Sequence, residues 1–191
     1  SISSMRLPSG SSSQAWRLPS IAVFSGSKRV SPAAAMRVSR VSVNGKRARY
    51  THRDSKLAVT PDAAIPPGGA LTVAVRYTGS PRPISGAWGE VGWEELTDGS
   101  LCANQPNGAA SWFPCDDHPS CKAPYRISIT TDSPYYALAN GTLVDKRVRG
   151  SRTTWVYQQV EPMSTYLASV QIGQYKRVSL RQKPFPVHAI F

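Results

Sequence analysis

No stretch of this 191-residue chain approaches the roughly 18 consecutive apolar residues that a membrane-crossing helix needs, so a helix-spanning role is excluded and no membrane partner is expected. Its first residues, SISSMRLPSG, lack the apolar centre of a secretory leader, which favours a cytoplasmic setting and leaves secretion open. Cysteine is scarce: Cys102, Cys115 and Cys121 are an odd, low count that makes no disulfide framework of the secreted kind, and their thiol or disulfide state stays open. No window of about a dozen residues carries a helical apolar stripe, which excludes a helix bundle. Acidic residues are also few, and the net charge is +12. The excess is local, because residues 1–60 hold 11 of the 23 Lys/Arg but one of the 11 Asp/Glu. That basic third has one Trp and one Phe before Tyr50, too few platforms for stacking on bases, so nucleic acid is disfavoured as a partner.

What the chain does contain is short strands and turn signals. Residues 1–35, rich in Ser and Arg, read as an irregular segment with room for one short strand, Arg17 to Phe24. From Met36 the pattern changes. MRVSRVSV (36–43) is a strand followed by the hairpin signal Asn44-Gly45, with Arg47–Tyr50 and Leu57–Thr60 as returning strands. Pro66-Pro67-Gly68-Gly69 is a turn. Leu71, Val73, Val75 and Tyr77 then alternate with polar or small residues, the cleanest period of two in the chain. Tyr125–Thr131, Tyr136–Ala139, Thr153–Gln159 and Thr165–Ile172 read as further strands. Asn140-Gly141 reads as a hairpin turn rather than a glycosylation site, and Arg149-Gly150 as a turn. Strands at roughly ten-residue spacing with turns between them predict an all-β sandwich of short antiparallel strands, covering 36–191 as one domain. Trp88, Trp93, Trp112 and Trp155 are expected in its core rather than on a sugar-binding face.

The run QPNGAASWFPCDDHPSCK (105–122) concentrates potential metal ligands. Cys115 and Cys121 are six residues apart, no second pair follows, and successive side chains of Asp116, Asp117 and His118 diverge on an extended chain. The local pattern therefore favours a Pro-bounded structural loop over a metal site, with its carboxylates bonding backbone amides. Lys122 reads as a surface residue.

WFPCDDHPSCKAPYRISI, ALANGTLV (137–144) and EPMSTYLASVQIG (161–173), with GWEELTDG (92–99), together resemble the aminopeptidase N family of zinc metallopeptidases, especially its bacterial members. That family has a F-P-C-x-D-x-P-x-x-K-A segment, an A-N-G turn and a P-M-x-T-Y-L strand in the same order. The resemblance covers Met36 to Phe191 and not residues 1–35. It implies the family's saddle-like N-terminal β-domain, which precedes a catalytic domain bearing G-x-M-E-N and H-E-x-x-H motifs. His52, His118 and His188 begin no such motif. The chain is thus expected to be catalytically silent alone and to hold no cofactor, with zinc belonging to the catalytic domain of a parent enzyme. The partners implied are that domain and the free N-terminus of a peptide substrate. The resemblance also implies substrate-binding residues: Gln105, nine before Pro114, would accept hydrogen bonds from the substrate amine, where many relatives carry Glu. Gly108 and Ala109 would let substrate approach closely. The competing reading is a free-standing β-sandwich binding module for protein or glycan.

Overall fold

The computed structural model describes residues 2–6, 20–25, 36–53, 55–63, 71–87 and 89–191, the first two segments as backbone only. In chain order the strands are β1 (Ile2–Arg6), β2 (Ser20–Ser25), β3 (Met36–Val43), β4 (Lys46–Arg47), β5 (Arg49–Arg53), β6 (Lys56–Thr60), β7 (Thr72–Gly79), β8 (Ile84–Gly86), β9 (Gly89–Leu96), β10 (Gly99–Ala103), β11 (Lys122–Asp132), β12 (Tyr136–Ala139), β13 (Thr142–Arg149), β14 (Arg152–Ser164), β15 (Val170–Gly173), β16 (Arg177–Arg181) and β17 (Val187–Ile190). Helical structure among the described residues is limited to single 3-10 turns at Ala109–Ser111 and Thr165–Leu167.

The expected all-β architecture is what the chain adopts. An eight-stranded sheet runs β13-β14-β11-β1-β2-β7-β3-β4, and a five-stranded sheet runs β12-β15-β10-β9-β8. Two ribbons, β5-β6 and β16-β17, stand beside them. Among the described residues every strand pairing is antiparallel except that of β1 with β11.

Period-two patterning explains which face each strand buries. In β7, Val73, Val75 and Tyr77 point inward while Thr72, Arg76 and Thr78 face solvent. Its partner β3 buries Met36, Val38 and Val41, the spacing changing by one at a bulge between Val38 and Arg40. These side chains, with Ile127 and Ile129 of β11, share one core with Trp93, Cys102, Ala137, Val170 and Ile172 of the smaller sheet. Burial of each large apolar side chain contributes roughly 1.5–3 kcal/mol, so this shared layer is the main force holding the two sheets face to face. Trp93, Trp112 and Trp155 lie in that core at 3% exposure or less, as expected, whereas Trp88 is outside the described residues.

Turn chemistry sets several connections. Asn44 and Gly45 have φ of +49° and +81°, the left-handed pair that a two-residue β3–β4 hairpin requires. Gly150, at φ +57°, helps turn β13 into β14.

Four expectations need correction. Among the described residues of 1–35 there are two strands rather than one: β2 overlaps the expected Arg17–Phe24 strand, β1 is additional, and both lie inside the larger sheet between β11 and β7. The backbone ladder on both sides supplies their bonds where local sequence shows no period; residues 7–19 and 26–35 lie outside the described residues. Only Lys46–Arg47 returns along β3; Arg49–Arg53 and Lys56–Thr60 instead pair with each other, docked through the Tyr50 hydroxyl, which donates to the Val38 carbonyl at 3.1 Å. Asn140-Gly141 closes no hairpin, because β12 belongs to the smaller sheet and β13 to the larger. Thr165–Ile172 is not one strand: Thr165–Leu167 is a 3-10 turn and β15 starts at Val170. The Pro66–Gly69 turn is outside the described residues.

Candidate functional site

The loop from Asn104 to Cys121 connects β10 to β11, and its backbone is fixed from three sides. Asn104, 4% exposed, is the first anchor. Its side-chain amide donates to the Ala168 carbonyl, its Oδ1 accepts from Trp112 Nε1 at 3.3 Å, and its own carbonyl accepts from Gly108 N–H at 2.6 Å. A buried polar side chain with this many partners meets the requirement that desolvated groups be bonded, and it ties both ends of the 104–112 turn together.

The second anchor is a close backbone approach. Gly108 lies so near β9 that a Cβ there would fall 2.5 Å from Gly92 N and 2.7 Å from Gly92 Cα. Ser111 completes the contact, its Oγ accepting from Trp93 N–H at 2.8 Å. Below it Trp112 packs on Phe113, ring centroids 4.3 Å apart, and on Trp93 at 6.4 Å.

The third anchor joins the loop to the 164–169 segment. Thr165 Oγ1 donates to the Asp116 carbonyl at 2.9 Å and receives the Tyr125 hydroxyl at 3.3 Å. Ser164 Oγ donates to the Pro119 carbonyl at 2.7 Å. Asn140 Nδ2 donates to the Leu167 carbonyl at 3.0 Å, and its Oδ1 accepts from Ser169 N–H at 2.6 Å. The segments around 113–123, 137–144 and 161–173, widely separated in sequence, thus meet in space around residues 164–169.

Within this frame the three expected site residues occupy different environments. Gln105 is exposed at the loop's start, joined to Pro106 by a cis peptide bond, whereas Gly108 and Ala109 are buried beneath it. The close backbone of Gly92 leaves no room for a Cβ at Gly108. Beside the loop, a shallow depression is lined by Pro83, Glu90, Val91, Gly92, Glu94 and Ala103, and the two glutamates are exposed.

The Cys–Asp–His run is dispersed. Cys115 is 2% exposed, and burial, with the charges of Asp117 and Asp116 nearby, pushes its thiol well above the ordinary range, so it is protonated. Cys121 Sγ donates to Asp116 Oδ2 at 3.3 Å, and exposed His118 bonds the Ser120 hydroxyl through Nδ1 at 2.7 Å. Among the described residues no three or more His, Cys, Asp or Glu side chains are grouped to hold a metal ion of the kind a zinc site needs.

Asp117 Oδ2 accepts from Ala110 N–H at 3.4 Å, linking the two halves of the loop. Burial raises its pKa, the Ala110 and Ala109 amides oppose that rise, and the Asp116 charge adds to it. An acid whose folded pKa lies above its unfolded value gives a native state that binds more protons, so its contribution to stability is lost as pH rises through the carboxylate range. Asp117→Asn should therefore gain stability relative to the parent between about pH 3 and pH 6. Urea unfolding of both proteins across that range checks this; a difference that does not move with pH, or shrinks, would contradict it.

Sequence reasoning missed Asn104, Ser164, Thr165 and the side-chain role of Asn140. Their signal is faint: short polar residues beside Gly, Pro or apolar neighbours look like ordinary turn residues until the long-range partner is known.

The sequence pattern of the Peptidase M1 N-terminal domain matches residues 43–167. Aminopeptidase M1 of Arabidopsis thaliana is 34% identical over 74 residues, 39% of this chain and 8% of that protein. Human glutamyl aminopeptidase is 36% identical over 89 residues, 44% of this chain and 9% of that protein. The matched stretches therefore cover less than a tenth of the length of these relatives. Among solved structures, the M1 zinc metallopeptidase of Deinococcus radiodurans superimposes with a TM-score of 0.82 at 23% identity, covering 99% of this chain and 45% of that one. A two-domain M1 zinc metallopeptidase variant bound to L-arginine gives 0.85 at 23% identity, covering 99% and 46%. At that identity the superposition speaks for the fold; the sequence match over residues 43–167 shows that this chain belongs to the Peptidase M1 N-terminal domain family.

Proposed function

We propose that the chain is the substrate-edge domain of a zinc-dependent metallo-aminopeptidase: it shapes one wall of the cleft, binds the peptide's free N-terminus, and is inactive without a zinc-bearing catalytic domain. The observation that carries this reading is the placement of Gln105, exposed at the start of a loop clamped at Asn104, Gly108, Asp116 and Pro119. A rigid frame holding one exposed amide suits the recognition of a small fixed group. The Gln105 carbonyl oxygen accepts from the substrate ammonium, while Gly108 and Ala109 act at one remove, by setting the loop's height above β9.

Two further features support it. Glu90 and Glu94 bring negative charge to the depression beside the loop, favourable for an ammonium group where Gln105 has none. The C-terminal ribbon exposes Leu180 and Phe185 at 64% and 62% and Phe191 at 67%, apolar surface of the kind a catalytic domain would cover. A free-standing sugar-binding module finds no support in the tryptophans that are described, since all are buried.

The test is substitution of Gln105 in a protein carrying the catalytic domain. A hydrogen bond to a charged group is worth roughly 1.5–3 kcal/mol, so Gln105→Ala should raise KM for free-amine peptides about 10- to 100-fold. Gln105→Glu should lower KM. Unchanged KM in both variants would remove Gln105 from the binding role.

A further inference from the structure

The edge of the larger sheet carries a pattern that the proposed function does not use. Strand β13 is its end strand, eight residues long, and among the described residues it pairs with β14 alone. One side of its backbone thus presents unmet N–H and C=O groups, a template for another strand. Its sequence is TLVDKRVR. Natural edges often carry charge that discourages pairing; this one carries both signs, Asp145 among Lys146, Arg147 and Arg149, and exposes Val144 and Val148 at 47% and 64%.

We infer that β13 is a self-recognition edge, pairing antiparallel with the β13 of a second copy about a two-fold axis through Lys146. A two-fold pairing is reciprocal: whatever residue i meets, its counterpart meets in return. With the axis at Lys146, each Asp145 stands opposite the second copy's Arg147, within the part of the strand that keeps continuous register. The relation holds twice, and opposite charges facing across strands are a favourable combination.

Neighbouring registers that keep each face on its own side are worse. An axis at Asp145 sets two carboxylates against each other. An axis at Arg147 sets Asp145 against Arg149 but also two guanidinium groups against each other and Lys146 against Val148. The chosen register has one unfavourable element, Lys146 facing itself. That ammonium is already drawn over the Trp155 ring, 4.1 Å from its centroid, and so away from the axis. Within one copy, Arg147 Nε donates to Asp145 Oδ2 at 2.6 Å, so pairing two edges would assemble four alternating charges in place of two isolated pairs. The bulge between Leu143 and Asp145 lies at the strand's start and leaves Asp145 to Arg149 in continuous register with β14.

A strand-to-strand contact buries little area, so association should be weak, on the order of tens of micromolar. Sedimentation of the 191-residue chain from about 5 to 500 μM should show a monomer–dimer equilibrium in that range. Asp145→Lys should weaken it at least about tenfold, as should Arg147→Asp, while the double exchange should restore it to within about threefold of the parent. Lys146→Cys, on the axis, should form a covalent dimer on mild oxidation, and Arg149→Cys, off the axis, should not. A chain that stays monomeric throughout overturns the inference, as does association indifferent to all three charge variants, which would assign the contact to another surface such as the exposed ribbon. Should a charge variant fail to fold, equal cross-linking at 146 and 149 would overturn it by itself.

Discussion

Trp112→Ala is expected to destabilise the domain by about 3–5 kcal/mol, the range found when a fully buried large aromatic is truncated. The side chain is 1% exposed and packs on both Phe113 and Trp93, so its removal leaves a cavity bounded by rigid neighbours. Packing is only part of the loss. Trp112 Nε1 is the donor that meets Asn104 Oδ1, and Asn104 also holds Ala168 and Gly108, so a buried amide would be left with an unpaired oxygen at the point where the loop closes. Trp112→Phe should recover much of the packing but not the hydrogen bond, landing between the parent and Ala. Urea midpoints of the three proteins check the order. A Phe variant as stable as the parent would mean that the Asn104 bond contributes nothing, and the loop's first anchor would have to be sought elsewhere.

Gly92→Ala should cost about 3 kcal/mol or more, although it adds a single methyl group. Gly92 has φ +108°, a conformation that side chains rarely adopt, and the new Cβ would fall 2.3 Å from Ser111 Oγ and 2.7 Å from the Gly108 carbonyl oxygen. Relief by moving Ser111 would break its bond with Trp93 N–H, and relief by moving Gly108 would push out the loop that carries Gln105. The same change at Gly150 is the control: φ is +57° with nothing within 4 Å of the added Cβ, so about 1 kcal/mol of backbone cost is expected and no more. Equal effects at the two positions would show that strain alone matters and that the contact between β9 and the loop is not a constraint.

Much of this architecture was legible from residue patterns, and the reasons are local. Val73, Val75 and Tyr77 alternate strictly, and Asn44-Gly45 encodes a left-handed turn, so β7 and the β3–β4 hairpin could be read directly. Where the deciding interaction is distant, the pattern misled. Asn140-Gly141 has the residues of a hairpin turn, but Asn140 bonds Leu167 and Ser169 and the chain passes from one sheet to the other. β1 and β2 carry no period because neighbouring strands supply their bonds. The site was legible in a similar, partial way. The family resemblance is what pointed to Gln105, nine before Pro114, as a candidate, yet nothing in NQPNGAAS told that Gly108 packs against Gly92, or that Asn104 anchors the turn. Those facts belong to contacts between residues 16 or more positions apart, such as Gly92 with Gly108 and Asn104 with Ala168.

Convergence of the three sequence segments also explains why they are found together. Each supplies one part of a single clamp: the loop carbonyls of Asp116 and Pro119, the Asn140 amide, and the hydroxyls of Ser164 and Thr165. The clamp fixes the loop that presents the exposed Gln105 amide, as the proposed role at another domain's cleft requires.

The most direct measurement is made on the 191-residue chain alone and joined to a domain bearing H-E-x-x-H, with zinc content after exhaustive dialysis and release of N-terminal residues from a free-amine peptide recorded for both. The account predicts negligible zinc and no cleavage for the chain alone, and about one zinc per molecule with cleavage for the joined protein. Stoichiometric zinc together with cleavage by the chain alone would contradict it and return Cys115, Asp117, His118 and Cys121 to consideration as ligands.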